Sequence, residues 1–226
     1  MWGQCMADAA DRAERPRPVS ELVLDRLRRD IIENRFELGE KISEAQLSDL
    51  YGVTKAPIRS AYIRLEGEGL IDIRAQAGTF VFRPTVEEVR ALCELRTALE
   101  VEAVRLAMSR DPAGLKADFR RILTAMEEAL RVQSRDVYQQ LDTELHLAIL
   151  ARANSPLLEK TYRTQVNGRF AALRYRFSQD QRHNANSIAE HRLLRDAVVA
   201  DDLPELIRLM RAHIGNTEGY YAGLAM

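Results

Sequence analysis

The sequence predicts a mainly α protein in two parts: three short helices closed by a β-hairpin, then an all-α helical bundle. Three observations carry that division. Apolar residues recur at helical spacing over most of the chain, strand-like runs are confined to residues 71–82, and the Arg83-Pro84-Thr85 junction separates the two patterns.

The elements follow in order. Residues 1–18 are rich in Ala, Asp, Arg and Pro, lack an apolar period, and are expected to form a disordered arm. A helix runs from about Ser20 to Asn34, with Leu24, Leu27, Ile31 and Ile32 sharing one face. Ser43 and Gln46 read as a capping box for a second helix, with Leu47 and Leu50 inward and Gly52 as its end. Thr54 is positioned to cap a third helix, which tolerates Pro57 in its first turn. Ile58, Ala61, Tyr62 and Leu65 form its buried stripe, and Gly67 and Gly69 break it. Ile71-Asp72-Ile73 and Thr79-Phe80-Val81-Phe82 read as two strands around a turn at Gly78. Pro84 resists continuing either element, which divides the chain into a first domain over 19–83 and a second over 84–226. Helices are expected in the second near 86–109, 113–133, 136–152, 156–178, 187–200 and 204–221, with breaks at Asp111-Pro112, Asn154-Ser155-Pro156 and Asp202-Leu203-Pro204.

Composition narrows the functional classes. The formal net charge of −1 argues against nonspecific coating of nucleic acid but leaves room for a local basic surface. Apolar runs are too short to span a membrane, and no secretory signal is visible. Cys5 and Cys93 lie far apart, so a disulfide framework is not expected and a reducing cytoplasm fits.

The segment Ser43–Leu65 has the layout of a helix-turn-helix, whose second helix enters the major groove of double-stranded DNA with its first turns on base edges. Thr54, Lys55 and Arg59 lie on those turns, off the buried stripe, and can donate to guanine edges or phosphates. Arg64 is a turn further on and suits a phosphate, and Gly78 at the hairpin lets backbone approach DNA closely. The bland alternative is that these charges form a solvated face. Four stretches carry a resemblance: Leu38 to Leu47, Tyr51 to Arg59, Leu65 to Ile71, and Gly78 to Val81. In order and spacing they resemble the winged helix-turn-helix of the GntR family over roughly residues 20 to 83. Lys55 stands where that family often has Arg, and Ala56 where it often has Thr. Lys cannot make Arg's bidentate fork, so the base preference is expected to differ.

In the second part Asp142 and His146, four residues apart, share one helix face, and His191 and His213 fall on two further helices. Three helices can thus aim one carboxylate and three imidazoles into a bundle core, a donor set suited to zinc, nickel, iron or manganese. Hydrogen-bonded core histidines are the alternative. His183, in a polar stretch, reads as a surface loop residue. Arg96 lies among Leu92, Leu95 and Leu99 and needs a partner, either a bound anion or Glu100. Arg174 is a second candidate for an anion, set among Arg163, Arg169 and Arg176.

Residues 86–222 resemble the FCD effector domain of the FadR-type branch of the GntR family. The carrying motifs are Glu94-Leu95-Arg96, Asp142-Thr143-Glu144-Leu145-His146, Glu190-His191-Arg192-Leu193-Leu194 and Arg211-Ala212-His213. The resemblance implies that Asp142, His146, His191 and His213 bind a divalent metal. It further implies a bacterial, cytoplasmic, homodimeric regulator, a repressor by expectation, that binds a palindromic operator and a small carboxylate effector. A metal sensor and a metal-dependent enzyme are the alternatives; no separate nucleophile or general base supports the enzyme. Acyl-CoA sensing fits less well, because an apolar ligand has no use for a metal quartet.

Overall fold

Leu24, Leu27 and Ile31 are buried on one face of α1 (Val19–Ile32), which packs on α3 (Lys55–Gly67), where Ile58, Ala61 and Leu65 are buried in the same core. The computed structural model describes residues 17–177 and 181–224, so the arm expected over residues 1–18 lies almost wholly outside the described residues. Between these helices, α2 (Glu44–Tyr51) starts where the Ser43 hydroxyl accepts the Gln46 N–H at 3.1 Å. It stops at Gly52, whose φ of 67° is left-handed. α2 buries Leu47 alone, and Leu50, expected inward, is 39% exposed.

The hairpin gains a strand that two residues cannot announce by alternation. β1 (Lys41–Ile42), β2 (Ile71–Arg74) and β3 (Gly78–Val81) form an antiparallel sheet in the order β1-β3-β2, with Lys41 opposite Phe80 and Ile71 opposite Val81. Gly78 opens β3 rather than forming the tip, which falls at residues 75–77. Its φ is 117°, a backbone conformation that residues with a side chain rarely adopt, which favours glycine there.

After Val81 the chain turns into α4 (Val86–Arg110), opened by a reciprocal capping box between Thr85 and Glu88. There follow α5 (Pro112–Arg131), α6 (Arg135–Arg152), α7 (Pro156–Tyr162), a π-helical turn over Arg163–Asn167, α8 (Gly168–Phe177), α9 (Gln181–Val199) and α10 (Leu203–Leu224). The helix expected over 156–178 is therefore broken by one wide turn. α9 begins earlier than expected, which puts His183 on a helix, half-buried, with its ring stacked on Tyr220 at 3.7 Å between centroids. The polar run around His183 hides this, because its helical face meets an aromatic ring rather than aliphatic side chains.

α4 packs on α6 and α10, α5 on α6 and α9, and α9 on α10. Leu115, Phe119, Ile122, Leu123 and Met126 of α5 are fully buried, and each such burial contributes about 1.5–3 kcal/mol. α8 also reaches α1, joining the two parts. Cys93 is buried in α4, and burial pushes its thiol up to about 11, which makes it unreactive. No helix among the described residues is long and apolar enough to cross a membrane.

Candidate functional site

His146 on α6, His191 on α9 and His213 on α10 converge at the centre of the bundle. Each offers a ring nitrogen within 4.8 Å of the others, and all three are buried. Ring centroids are 4.8 Å apart for His191 and His213 and 5.4 Å for His146 and His213. Asp142, one turn before His146, borders the cluster: its Oδ1 is 3.6 Å from His191 Nε2 and its Oδ2 is 4.0 Å from His146 Nε2.

Two carboxylates fix the orientation of two of the rings. Glu100 Oε2 lies 2.7 Å from His146 Nδ1, and Glu190 Oε2 lies 2.7 Å from His213 Nδ1. A carboxylate only accepts, so each Nδ1 carries the proton and each Nε2 presents a lone pair. His191 has no hydrogen-bond partner at either nitrogen, although it is fully buried. An orphaned pair of buried nitrogens is costly unless something else binds them. Burial pushes all three histidines below their ordinary pKa, His191 and His213 well below it, with the neighbouring cations and imidazoles adding to the effect. Neutral imidazoles with Nδ1 held by carboxylates fit a divalent metal, and Asp142 is near enough to add an oxygen.

The two candidate arginines behave differently. Arg96 is sealed into the wall. Its Nε donates to Glu100 Oε1 at 2.6 Å, its Nη2 approaches His146 Nε2 at 2.7 Å, and its guanidinium lies 4.6 Å over the Phe170 ring. The Tyr162 hydroxyl donates to the same Glu100 oxygen at 2.8 Å. Burial opposes ionisation of Glu100, yet Arg96 and His146 together hold its carboxyl well below the usual range. Arg96 thus pairs with Glu100, one of the two partners its sequence context allows. Arg174, buried on α8, instead presses against Asp142, and burial pushes its guanidinium down to about 10. Its Nε and Nη2 have no hydrogen-bond partner. Glu100, expected only as a possible partner of Arg96, completes the centre together with Glu190 and Tyr162, which the sequence does not mark as site residues. Glu190 had a faint signal in its adjacency to His191, but its partner is His213 on the next helix.

At the other end of the molecule Thr54, Lys55, Arg59 and Arg64 are all exposed on or beside α3. Thr54 stands at the N-cap position without a cap hydrogen bond from its side chain, so its hydroxyl is uncommitted. Arg59 Nε donates to both Glu44 oxygens, at 2.8 and 2.9 Å. On the hairpin, Lys41 and Arg74 flank the Phe80 ring, at 5.9 and 4.7 Å from its centroid. These two cations extend the basic surface: Lys41 sits on a strand too short to show in the sequence, and Arg74 lies one residue past the strand expected at Ile71-Asp72-Ile73.

α8 and the wide turn before it touch both regions. Arg174 points to Asp142, while Gln165 donates to Gly67 O at 3.1 Å and Arg176 to Phe36 O at 2.6 Å. A Cβ on Gly168 would meet Leu70 Cδ1 at 3.1 Å, a measure of how closely the helix approaches the first domain.

Comparison with known proteins accords with both halves. Residues 19–81 match the model of the bacterial regulatory proteins of the gntR family, and residues 91–216 match the FCD domain. The chain is 26% identical over 204 residues to the HTH-type transcriptional regulator BphR of Paraburkholderia xenovorans, covering 88% of this chain and 83% of that one. It is 29% identical over 140 residues to the HTH-type transcriptional repressor RspR of Escherichia coli, covering 62% of this chain and 61% of the repressor. A GntR-type regulator from a Rhodococcus species has the same fold, with a TM-score of 0.79 at 21% identity, covering 91% of this chain and 98% of that one.

Proposed function

The chain belongs to the gntR family of bacterial regulatory proteins and carries an FCD domain, so it is a DNA-binding transcriptional regulator rather than an enzyme; on that premise we propose that a divalent metal and a small carboxylate effector, bound in the bundle, set its affinity for an operator. The observation that carries this reading is the buried trio His146, His191 and His213, with two rings steered by Glu100 and Glu190 and the third without a partner.

Nε2 of His146 and of His213, one ring nitrogen of His191 and Asp142 would hold the ion, Arg96 Nη2 giving way at His146 Nε2, with zinc or nickel suiting the imidazole-rich set and manganese or iron as further candidates. When bound, the metal supplies a positive centre with open positions for an oxygen ligand. Arg174 is the second half of the effector site: its unpartnered Nε and Nη2 suit a carboxylate arriving beside Asp142. Arg96 does not bind effector in this reading. It keeps Glu100 ionised and His146 in register. An effector that draws Arg174 away from Asp142 moves α8, and α8 passes the displacement to the first domain through Gln165, Gly168 and Arg176.

The regulator acts in the cytoplasm as a homodimer on a two-fold operator, because a helix-turn-helix reads one half-site per copy. Thr54, Lys55 and Arg59 read bases. Arg64, Lys41, Arg74 and the Gly78 backbone hold phosphate. Repression is the sign we propose, in line with the name of the RspR relative. The reading is tested by gel shift of purified full-length protein on the DNA upstream of its own gene, with zinc, with EDTA, and with zinc plus a panel of hydroxy, dicarboxylic and sugar acids. It expects at least one acid to change the apparent Kd roughly tenfold or more with zinc and not with EDTA, in keeping with typical coupling energies. Identical Kd values in all conditions would overturn it.

A further inference from the structure

The ion pair between Glu44 and Arg59 is open to solvent, with Glu44 half-buried at 29% and Arg59 exposed at 65% of its side-chain surface. Such a pair stabilises a fold little. It also puts a carboxylate on the face that meets DNA phosphate, where it repels. A role in stability therefore does not account for it.

Its geometry suggests another role. Glu44 is the first residue of α2, set by the Ser43 cap, and Arg59 is on the second turn of α3, so the pair spans the two helices. Both Glu44 oxygens converge on the single Nε of Arg59. Among the described residues neither Nη1 nor Nη2 of Arg59 has a partner. Glu44 thus occupies the side edge of the guanidinium and leaves the end edge open. Lys55 lies near enough to pull on the same carboxylate, and with Arg59 it draws the Glu44 pKa down.

We propose that Glu44 is a positioning residue for sequence readout: it clamps Arg59 by Nε so that Nη1 and Nη2 meet the O6 and N7 edge of one guanine per half-site end-on. Arginine has many rotamers, and a clamp at Nε removes most of them before DNA arrives, so the contact costs less ordering. The inference rests on the reading of α3 as the recognition helix.

Selection of preferred sites from a randomised duplex library tests it, with full-length wild-type protein and four variants. Wild type selects a site with one guanine in each half that depends on Arg59. Glu44→Ala loses preference at that guanine and binds the selected site about tenfold more weakly, or worse, while affinity for random duplex holds or rises. Glu44→Asp keeps the charge, falls one methylene short of Nε, and loses the same guanine. Glu44→Gln retains a carbonyl acceptor for Nε and keeps it. Asp49→Asn removes an exposed charge from the same helix without touching Arg59, and tightens selected and random duplex alike. Glu44→Ala and Glu44→Asp proteins that select the wild-type sequence with undiminished affinity would overturn the role of Glu44 alone. Wild-type protein that selects no sequence would overturn the recognition-helix reading with it.

Discussion

The bundle centre and the recognition helix use the same side-chain chemistry under opposite physical conditions. At the centre, Arg96, Glu100, Asp142, Arg174 and the three histidines are all buried, so each charge must find a partner or be neutral. On α3, Thr54, Lys55, Arg59 and Arg64 are exposed, and water satisfies them whether or not DNA is present. The lesson is that an unmet hydrogen bond is informative in the first region and uninformative in the second. The orphaned nitrogens of His191 and the uncommitted edge of Arg174 are the groups that the proposed metal and effector would satisfy. The free Nη groups of Arg59 gain meaning only from the clamp at Nε and from the family to which the chain belongs.

The largest expected effect would break the comparison at the centre. Glu100→Ala leaves Arg96, His146 and Tyr162 buried without their shared acceptor. It should destabilise the protein by about 3–5 kcal/mol in urea or thermal unfolding, the usual cost of removing one partner from a buried ion pair. A loss below about 1 kcal/mol would mean that water reaches this pocket and that it is not a low-dielectric centre.

A pH series sharpens the same contrast. His191 and His213 are held well below their ordinary pKa by burial, so in metal-free protein the unfolded chain binds protons that the folded chain refuses. Stability is then full above about pH 6.5, the unfolded value, and falls as pH drops toward the folded values. The slope approaches about 1.4 kcal/mol per pH unit for each histidine. Denaturation midpoints of EDTA-treated protein between pH 7.5 and 5.5 measure it. A flat profile would show that the rings stay wet.

The smallest effect on stability, and a local one on binding, belongs to the exposed region. Arg59→Ala should leave the unfolding midpoint unchanged and weaken operator binding roughly 10- to 100-fold, as the loss of one bidentate base contact does. Unchanged gel-shift affinity at several salt concentrations would remove Arg59 from the interface.

Legibility in the sequence divides along the same line. α3 was readable because its stripe of Ile58, Ala61, Tyr62 and Leu65 has a clear period and its polar residues sit in a short, ordered motif. The metal quartet was readable as residue types, since Asp142 and His146 share a turn and His191 and His213 fall on two further helices, and the resemblance gave the four their common role. The supporting layer was not. Glu100 reaches His146 across 46 positions and Glu190 reaches His213 across 23, and nothing in local spacing encodes such pairs. The wide turn at Arg163–Asn167 was invisible too, because its sequence Arg-Thr-Gln-Val-Asn holds no Pro or Gly to mark a break. β1 was missed for its brevity, and His183 for its polar surroundings.

Metal occupancy decides whether the buried histidines act as ligands. Elemental analysis of full-length protein, reconstituted with zinc and desalted, tests it most directly when wild type is run beside His191→Ala. Wild type should hold about one ion per chain and the variant close to none, with both proteins folded by circular dichroism. No bound metal in wild type, or equal occupancy in the two, would contradict that role.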